Sequence, residues 1–224
     1  VKRLISFSDS YSFRYSGKLY CVSNRQVKYL NNRKEKKAKL LLPPVPNSYY
    51  ISVASLKSRT NTIVWVGRLD YGKGADIVFK IIEKLSASQD YNFKILAHTI
   101  NNKNSVLIPE SIRQLDNVNI KEIGYSEHSS IIEKEVGLCF READVFISPY
   151  RFLSSTIDTP MLIQEAMASL CAVVTMDFPG IGWLYGSNQY LVAHDVCSEN
   201  LANEFCIKIN QLMDSLEDEQ ERIS

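Results

Sequence analysis

From Thr62 onward the sequence alternates between short apolar runs and amphipathic stretches of ten or more residues. TIVWVG (62–67), NFKILAH (92–98), NVNIKEIG (117–124), DVFISPY (144–150), CAVVTMD (171–177) and QYLVA (189–193) read as strands. Several run apolar almost without interruption, as expected of strands covered on both faces. ADIVFKIIEKLSAS (75–88) has helical spacing, with Ile77, Ile81 and Leu85 on one side and Lys80 and Lys84 elsewhere. The pattern predicts further helices over 105–115 (around Pro109), 127–143, 160–170 and 198–216. Pro160 suits the first turn of its helix, and EDEQER (217–222) reads as a charged tail that frays. Strands separated by helices of this length imply right-handed crossovers and a parallel sheet. The fold class is therefore α/β, a doubly wound parallel sheet of Rossmann-like type, which takes ligands at the carboxyl ends of its strands.

Residues 1–60 break this rhythm. LYCVSN reads as a strand, RQVKYLNNRKEKKA as a short basic helix and KLLLPPVP as a strand stopped by prolines: one β-α-β unit, with too little core for an independent domain. The run RKEKKAK reads as a solvated face. Tyr11, Phe13 and Tyr15 alternate as on one face of an edge strand, with an acceptor or dimer surface as the alternative. The expected organisation is 1–60 and 61–224, within the range of one large domain plus a fragment of another. A formal charge of +1 favours neither nucleic acid nor anionic membrane, so no nucleic-acid partner is expected. The five cysteines form no CxxC pair and the three histidines stand far apart, so reduced thiols, a cytoplasmic location and no metal site are expected. No apolar run has the length of a transmembrane helix, and VKRLISFSDSYSF lacks the apolar core of a signal peptide.

Two stretches carry chemistry. GRLDYGKG (67–74) falls where a strand stops and a helix starts. It is not a Walker A loop, because Gly74 rather than Ser or Thr follows Lys73, and no GxGxxG occurs for a dinucleotide. Arg68 offers a fork of donors and Lys73 a point cation beside a helix N-terminus, a combination suited to a diphosphate; a solvated surface turn is the alternative. In 143–182, Asp158 stands just before a helix and Glu165 within it, while Thr159, Pro160, Met161 and Leu162 span the helix start, where free N–H groups can receive an anion. Taken singly, Asp158 can be only an N-cap and Glu165 an ordinary surface glutamate.

Together, GRLDYGKGAD, EADVFISPY, DTPMLIQEAMA and AVVTMDFPGIGWL resemble, in order and spacing, the nucleotide-sugar-binding half of retaining GT-B-fold glycosyltransferases of family four (glycosyl transferases group 1). The resemblance covers about residues 62–210. It implies that Arg68 and Lys73 bind the donor diphosphate and stabilise charge on the leaving group. It implies that Glu165 holds the ribose hydroxyls, that Thr159 to Leu162 approach the sugar and diphosphate, and that Gly67, Gly124 and Tyr125 border the nucleotide, with Leu96, Ala97 and His98 lining the same cleft. The family's acid eight positions before the second glutamate is Ile157 here; Asp158, seven before, is the candidate for that catalytic position. Only Gly180 of the usual glycine pair is evident in FPGIG, and residues 1–60 resemble the remnant or end of an N-terminal Rossmann-like domain plus the hinge.

The function implied is sugar transfer from a nucleotide-diphosphate sugar, such as a UDP- or GDP-sugar, to an acceptor. It would proceed with retention and without metal or other cofactor, the nucleotide sugar being a co-substrate. A homodimer or a separate acceptor-binding chain would supply the missing side. The absence of any DxD triplet argues against a metal-dependent enzyme of the GT-A type. A non-catalytic nucleotide-sugar-binding module is the alternative.

Overall fold

The computed structural model describes residues 18–32, 38–51, 58–88, 90–99, 104–124, 129–152, 160–178, 181–186, 189–193, 195 and 197–224. Contacts divide the chain into two units, Val1–Pro44 and Val45–Ser224. The first contains β1 (Leu19–Cys21), α1 (Asn24–Asn32) and β2 (Ala38–Leu40). β1 and β2 pair in parallel, with Leu19 opposite Ala38 and Cys21 opposite Leu40, the β-α-β unit expected there. Asn31 fastens the end of α1 to β2: its Oδ1 accepts from the Ala38 N–H at 2.9 Å and its amide donates to the Ala38 carbonyl at 3.3 Å. Tyr11, Phe13, Tyr15 and the basic residues 33–37 lie outside the described residues.

The second unit runs β3 (Thr62–Arg68), α2 (Ala75–Ser86), β4 (Asn92–His98), α3 (Glu110–Arg113), β5 (Val118–Ile123), α4 (Ser129–Glu142) and β6 (Val145–Ser148). It continues with α5 (Met161–Ala168), β7 (Ala172–Met176), α6 (Ile181–Tyr185), β8 (Leu191–Val192), α7 (Ser198–Asp214) and α8 (Leu216–Ile223). The six strands make one wholly parallel sheet in the order β5-β4-β3-β6-β7-β8. This is the doubly wound α/β sheet that the alternation predicts. The winding reverses between β3 and β6. Right-handed crossovers then place α2 and α7, which pack on each other, on one face and α4 with α5 on the other. The carboxyl ends of β3 and β6 diverge at that reversal and leave the crevice at which such sheets take ligands.

Val45–Ile51 packs with this sheet. Tyr49 is buried, its hydroxyl donates to the Glu133 carbonyl at 3.2 Å, and the Ser169 hydroxyl donates to the Tyr49 carbonyl at 2.9 Å. Among the described residues no helix is long and apolar enough to cross a membrane.

Three local expectations are corrected. The helix expected over 105–115 shrinks to Glu110–Arg113, because Val106 donates its N–H to the Leu69 carbonyl at 3.0 Å and the chain stays extended until Pro109. Pro160 sits one place before its helix, as the N-cap residue, rather than in the first turn. The charged tail does not fray but forms α8. Glu219 is buried in it, accepts from the Tyr185 hydroxyl and pairs with Arg222, whose Nε donates to Glu219 Oε2 at 2.8 Å. Arg222 Nη1 also donates to the Tyr185 carbonyl at 2.8 Å, and Gln220 donates to the Leu170 carbonyl at 3.2 Å. A buried carboxylate is tolerable here because donors from two elements converge on it.

Candidate functional site

β3 ends on Arg68, and one tight turn joins it to α2. Asp70 shapes the turn, its Oδ1 accepting from the Lys73 N–H at 2.9 Å, and Tyr71–Lys73 form a single 3-10 turn. Gly74 then adopts φ +72°, and a Cβ there would lie 1.9 Å from the Pro149 carbonyl oxygen. The chain leaving β6 therefore passes directly against the start of α2, and only glycine permits it. The opposite flank is braced by the Tyr71 N–H, which donates to the Asn104 carbonyl at 3.0 Å. Arg68 and Lys73 are thus carried by one braced turn at the reversal of the sheet.

Their charges oppose each other. The Arg68 side chain is 51% exposed and its guanidinium lies 3.1 Å from the Asp70 carboxylate. Lys73 is more enclosed, with its ammonium 4.5 Å above the centre of the Tyr150 ring. Burial pushes the Lys73 ammonium below the ordinary lysine range, the positive charge of Arg68 pushes the same way, and Asp70 partly offsets both. Two cations on one turn, with one carboxylate paired to Arg68, leave net positive charge that an added anion offsets. A diphosphate matches that demand in charge and in its need for several donors.

Beside the turn lies a cleft of about 250 Å³, walled by Gly67 and Arg68 of β3, Leu96 and His98 of β4, Ile123 of β5 and Ile132 of α4. Gly67 is needed on this wall because a Cβ would meet the buried Trp65 ring at 2.8 Å. Ala97 points into the core and is fully buried instead. Gly124 follows β5 directly and is exposed at the same end of the sheet; Tyr125 lies outside the described residues.

On α5, Met161 is exposed and Leu162 packs against the core. Asp158 and Thr159 lie outside the described residues. Glu165 is half-buried; burial, and then the negative charge of Glu133 on α4, push its carboxyl above the ordinary range. The same two carboxylates, after burial itself, push the Tyr49 phenol up. The structure therefore brings Gly67, Arg68 and Lys73 together on the turn. Glu165 faces Glu133 where α5 meets α4 and is not among the residues that wall the cleft.

Several contributors escape a reading of the sequence. Asp70, three residues before Lys73, carries a local cap signature. Tyr150, Glu133 and Tyr49 carry none, because each meets the site only through the fold. Among the described residues, Ser148 Oγ at the end of β6 and Gln164 Nε2 on α5 are buried without a hydrogen-bond partner, polar groups that a ligand or water can satisfy.

The family model for glycosyl transferases group 1 matches residues 60–215. No curated protein sequence matches the chain. Among solved structures, the pneumococcal O-GlcNAc transferase GtfA in complex with UDP and GlcNAc is similar at a TM-score of 0.66 and 19% identity, over 95% of this chain and 42% of that one. The GtfA/B complex is similar at a TM-score of 0.62 and 12% identity, over 91% of this chain and 41% of that one. Anabaena HepE with UDP and glucose is similar at a TM-score of 0.59 and 14% identity, over 95% and 58%. At these identities the likeness establishes the fold. The chain spans 41 to 58% of the length of these three proteins.

Proposed function

The chain belongs to the glycosyl transferases group 1 family, and from that premise we propose that it is the donor-binding part of an enzyme that moves a sugar from a nucleotide-diphosphate sugar to an acceptor. The observation that carries this reading is the placing of Arg68 and Lys73 on one turn at the reversal of the sheet, where Asp70 pairs with the Arg68 guanidinium at 3.1 Å and accepts from the Lys73 N–H at 2.9 Å. Sugar transfer leaves a nucleoside diphosphate whose negative charge grows as the glycosidic bond breaks. Cations fixed beforehand at that position stabilise the transition state without reorganising. Two such cations supply this stabilisation without calling on a metal, and the sugar is retained in configuration through attack on the leaving-group face.

In this reading the apolar cleft along β3–β5 takes the nucleoside, Glu165 accepts from the ribose hydroxyls, the start of α5 faces the sugar, and Asp158 is proposed for the catalytic acid's role. UDP is a suitable first nucleotide, since two of the similar structures hold it. Residues 1–60 are the end of an acceptor-side domain and hinge. A second chain is the partner proposed for the acceptor side, in keeping with the GtfA/B complex among the similar structures.

Two variants separate the parts of the donor. Arg68→Ala lowers affinity for UDP by about 1.5–3 kcal/mol, roughly ten- to a hundredfold, and lowers uridine affinity far less, because uridine carries no diphosphate and meets Arg68 only along the cleft wall. Glu165→Ala weakens UDP and uridine alike, because both carry the ribose. Titrations followed by protein NMR shifts read both affinities. Equal affinity for UDP in wild type and both variants would reject this assignment of the site.

A further inference from the structure

A third cation stands near the reversal of the sheet, and its donors are already committed. Arg151 lies three residues beyond β6 with only 4% of its side chain exposed. Its guanidinium pairs with Asp76 in the first turn of α2, with Nε 3.4 Å from Oδ1 and Nη2 donating to Oδ2. Nη2 also donates to the hydroxyl of Ser198, the first residue of α7, and that hydroxyl lies 3.1 Å from Asp76 Oδ2. The guanidinium carbon sits over the Tyr71 ring, 4.0 Å from its centre. The Arg151 backbone N–H donates to the Gly72 carbonyl at 3.0 Å. Tyr71 and Gly72 are the two residues immediately before Lys73.

A guanidinium enclosed in this way, with a carboxylate on its fork and a ring on its face, is not presented to a ligand as Arg68 is. What it does is join four segments: the turn after β3, the first turn of α2, the exit of β6 and the start of α7. We infer that Arg151 is a positioning residue for the diphosphate site, holding the turn that bears Lys73 against the exit of β6. This rests on the reading of Arg68 and Lys73 as diphosphate ligands. Lysine cannot substitute, because an ammonium has neither the fork that spans the Asp76 carboxylate nor the flat face that covers Tyr71.

The test compares Arg151→Lys, Arg151→Ala and Asp76→Asn with wild type in the full chain, by NMR titration with UDP and with uridine and by thermal melting. The expected result is a UDP affinity lower by about ten- to a hundredfold in all three, the size of effect expected when a charge-assisted contact to the diphosphate is lost. Uridine affinity stays at the wild-type value, and Arg151→Lys does not restore UDP binding even where its melting temperature approaches that of wild type. A role confined to stability would lower the melting temperature without changing the ratio of UDP to uridine affinity, and that outcome overturns the inference. Should Arg151→Ala fail to fold, the other two variants carry the same comparison. Wild-type protein that binds neither UDP nor GDP overturns the donor-site reading itself and this inference with it. Wild-type binding of UDP that persists undiminished in the folded variants overturns only the role of Arg151.

Discussion

Gly74→Ala will cost the fold on the order of 4 kcal/mol. Two effects add. An alanine at φ +72° is strained by about 1–2 kcal/mol. Its Cβ would also lie 1.9 Å from the Pro149 carbonyl oxygen, a backbone atom that no rotamer change can move aside. Relief requires the exit of β6 to shift away from α2, which separates Arg68 and Lys73 from the rest of the crevice. For a chain of this size the expected drop in melting temperature is about 8–16 °C. Gly186→Ala is the matched control. It has φ +74°, but its Cβ would meet a side-chain atom, Arg222 Nη1, at 3.2 Å rather than backbone at 1.9 Å, so its cost is the conformational term of about 1–2 kcal/mol plus a smaller adjustment of the Arg222 bond to the Tyr185 carbonyl. Thermal melting of the two variants side by side decides the matter: equal losses would show that the close approach of Pro149 contributes nothing.

Asp144→Ala will have the next largest effect, at the opposite end of the sheet. The Asp144 side chain is fully buried, and one oxygen, Oδ2, accepts from the Thr60 N–H at 2.9 Å, the Thr62 N–H at 3.1 Å and the Thr60 hydroxyl at 3.0 Å. It thereby fixes where the chain enters β3 against the start of β6. Alanine leaves the buried Thr62 N–H without an acceptor and frees the approach to the strand, a loss of about 3 kcal/mol. Asp144→Asn keeps an amide oxygen for the Thr60 and Thr62 N–H groups and costs less, although its NH2 takes the place of Oδ1, which is buried without a hydrogen-bond partner. Because the carboxylate lies at the amino ends of the strands, far along β3 from Arg68, the folded fraction of Asp144→Ala retains wild-type UDP affinity. Urea unfolding together with UDP titration separates the two effects. Reduced affinity in the folded variant would contradict this division between scaffold and site.

The strands and long helices of the sheet were legible because their apolar residues are continuous in sequence: nothing but a buried strand accommodates TIVWVG followed by the helical spacing of Ile77, Ile81 and Leu85. Arg68 and Lys73 were legible for a related reason, being placed by one local turn. α8 was not. EDEQER is polar throughout, and its docking depends on Glu219 meeting Tyr185, thirty-four residues earlier, and on Gln220 meeting the Leu170 carbonyl. The environment of Glu165 was equally hidden, since Glu133 and Tyr49 reach it only when α4 packs against α5. The same holds for Arg151, whose partner Asp76 lies seventy-five residues before it. Local signals announce elements and turns; ion pairs between distant segments appear only once the sheet has set their register.

The central claim is that Arg68 and Lys73 form the diphosphate subsite of a nucleotide-sugar donor. Calorimetric titration of the full chain with UDP and with GDP, in wild type and in Lys73→Ala, tests it most directly. The account predicts that one of the two nucleotides binds wild type in the absence of added metal, and that Lys73→Ala loses about ten- to a hundredfold in affinity while remaining folded. Binding of the same nucleotide with undiminished affinity in Lys73→Ala, or of neither nucleotide by wild type, would contradict it.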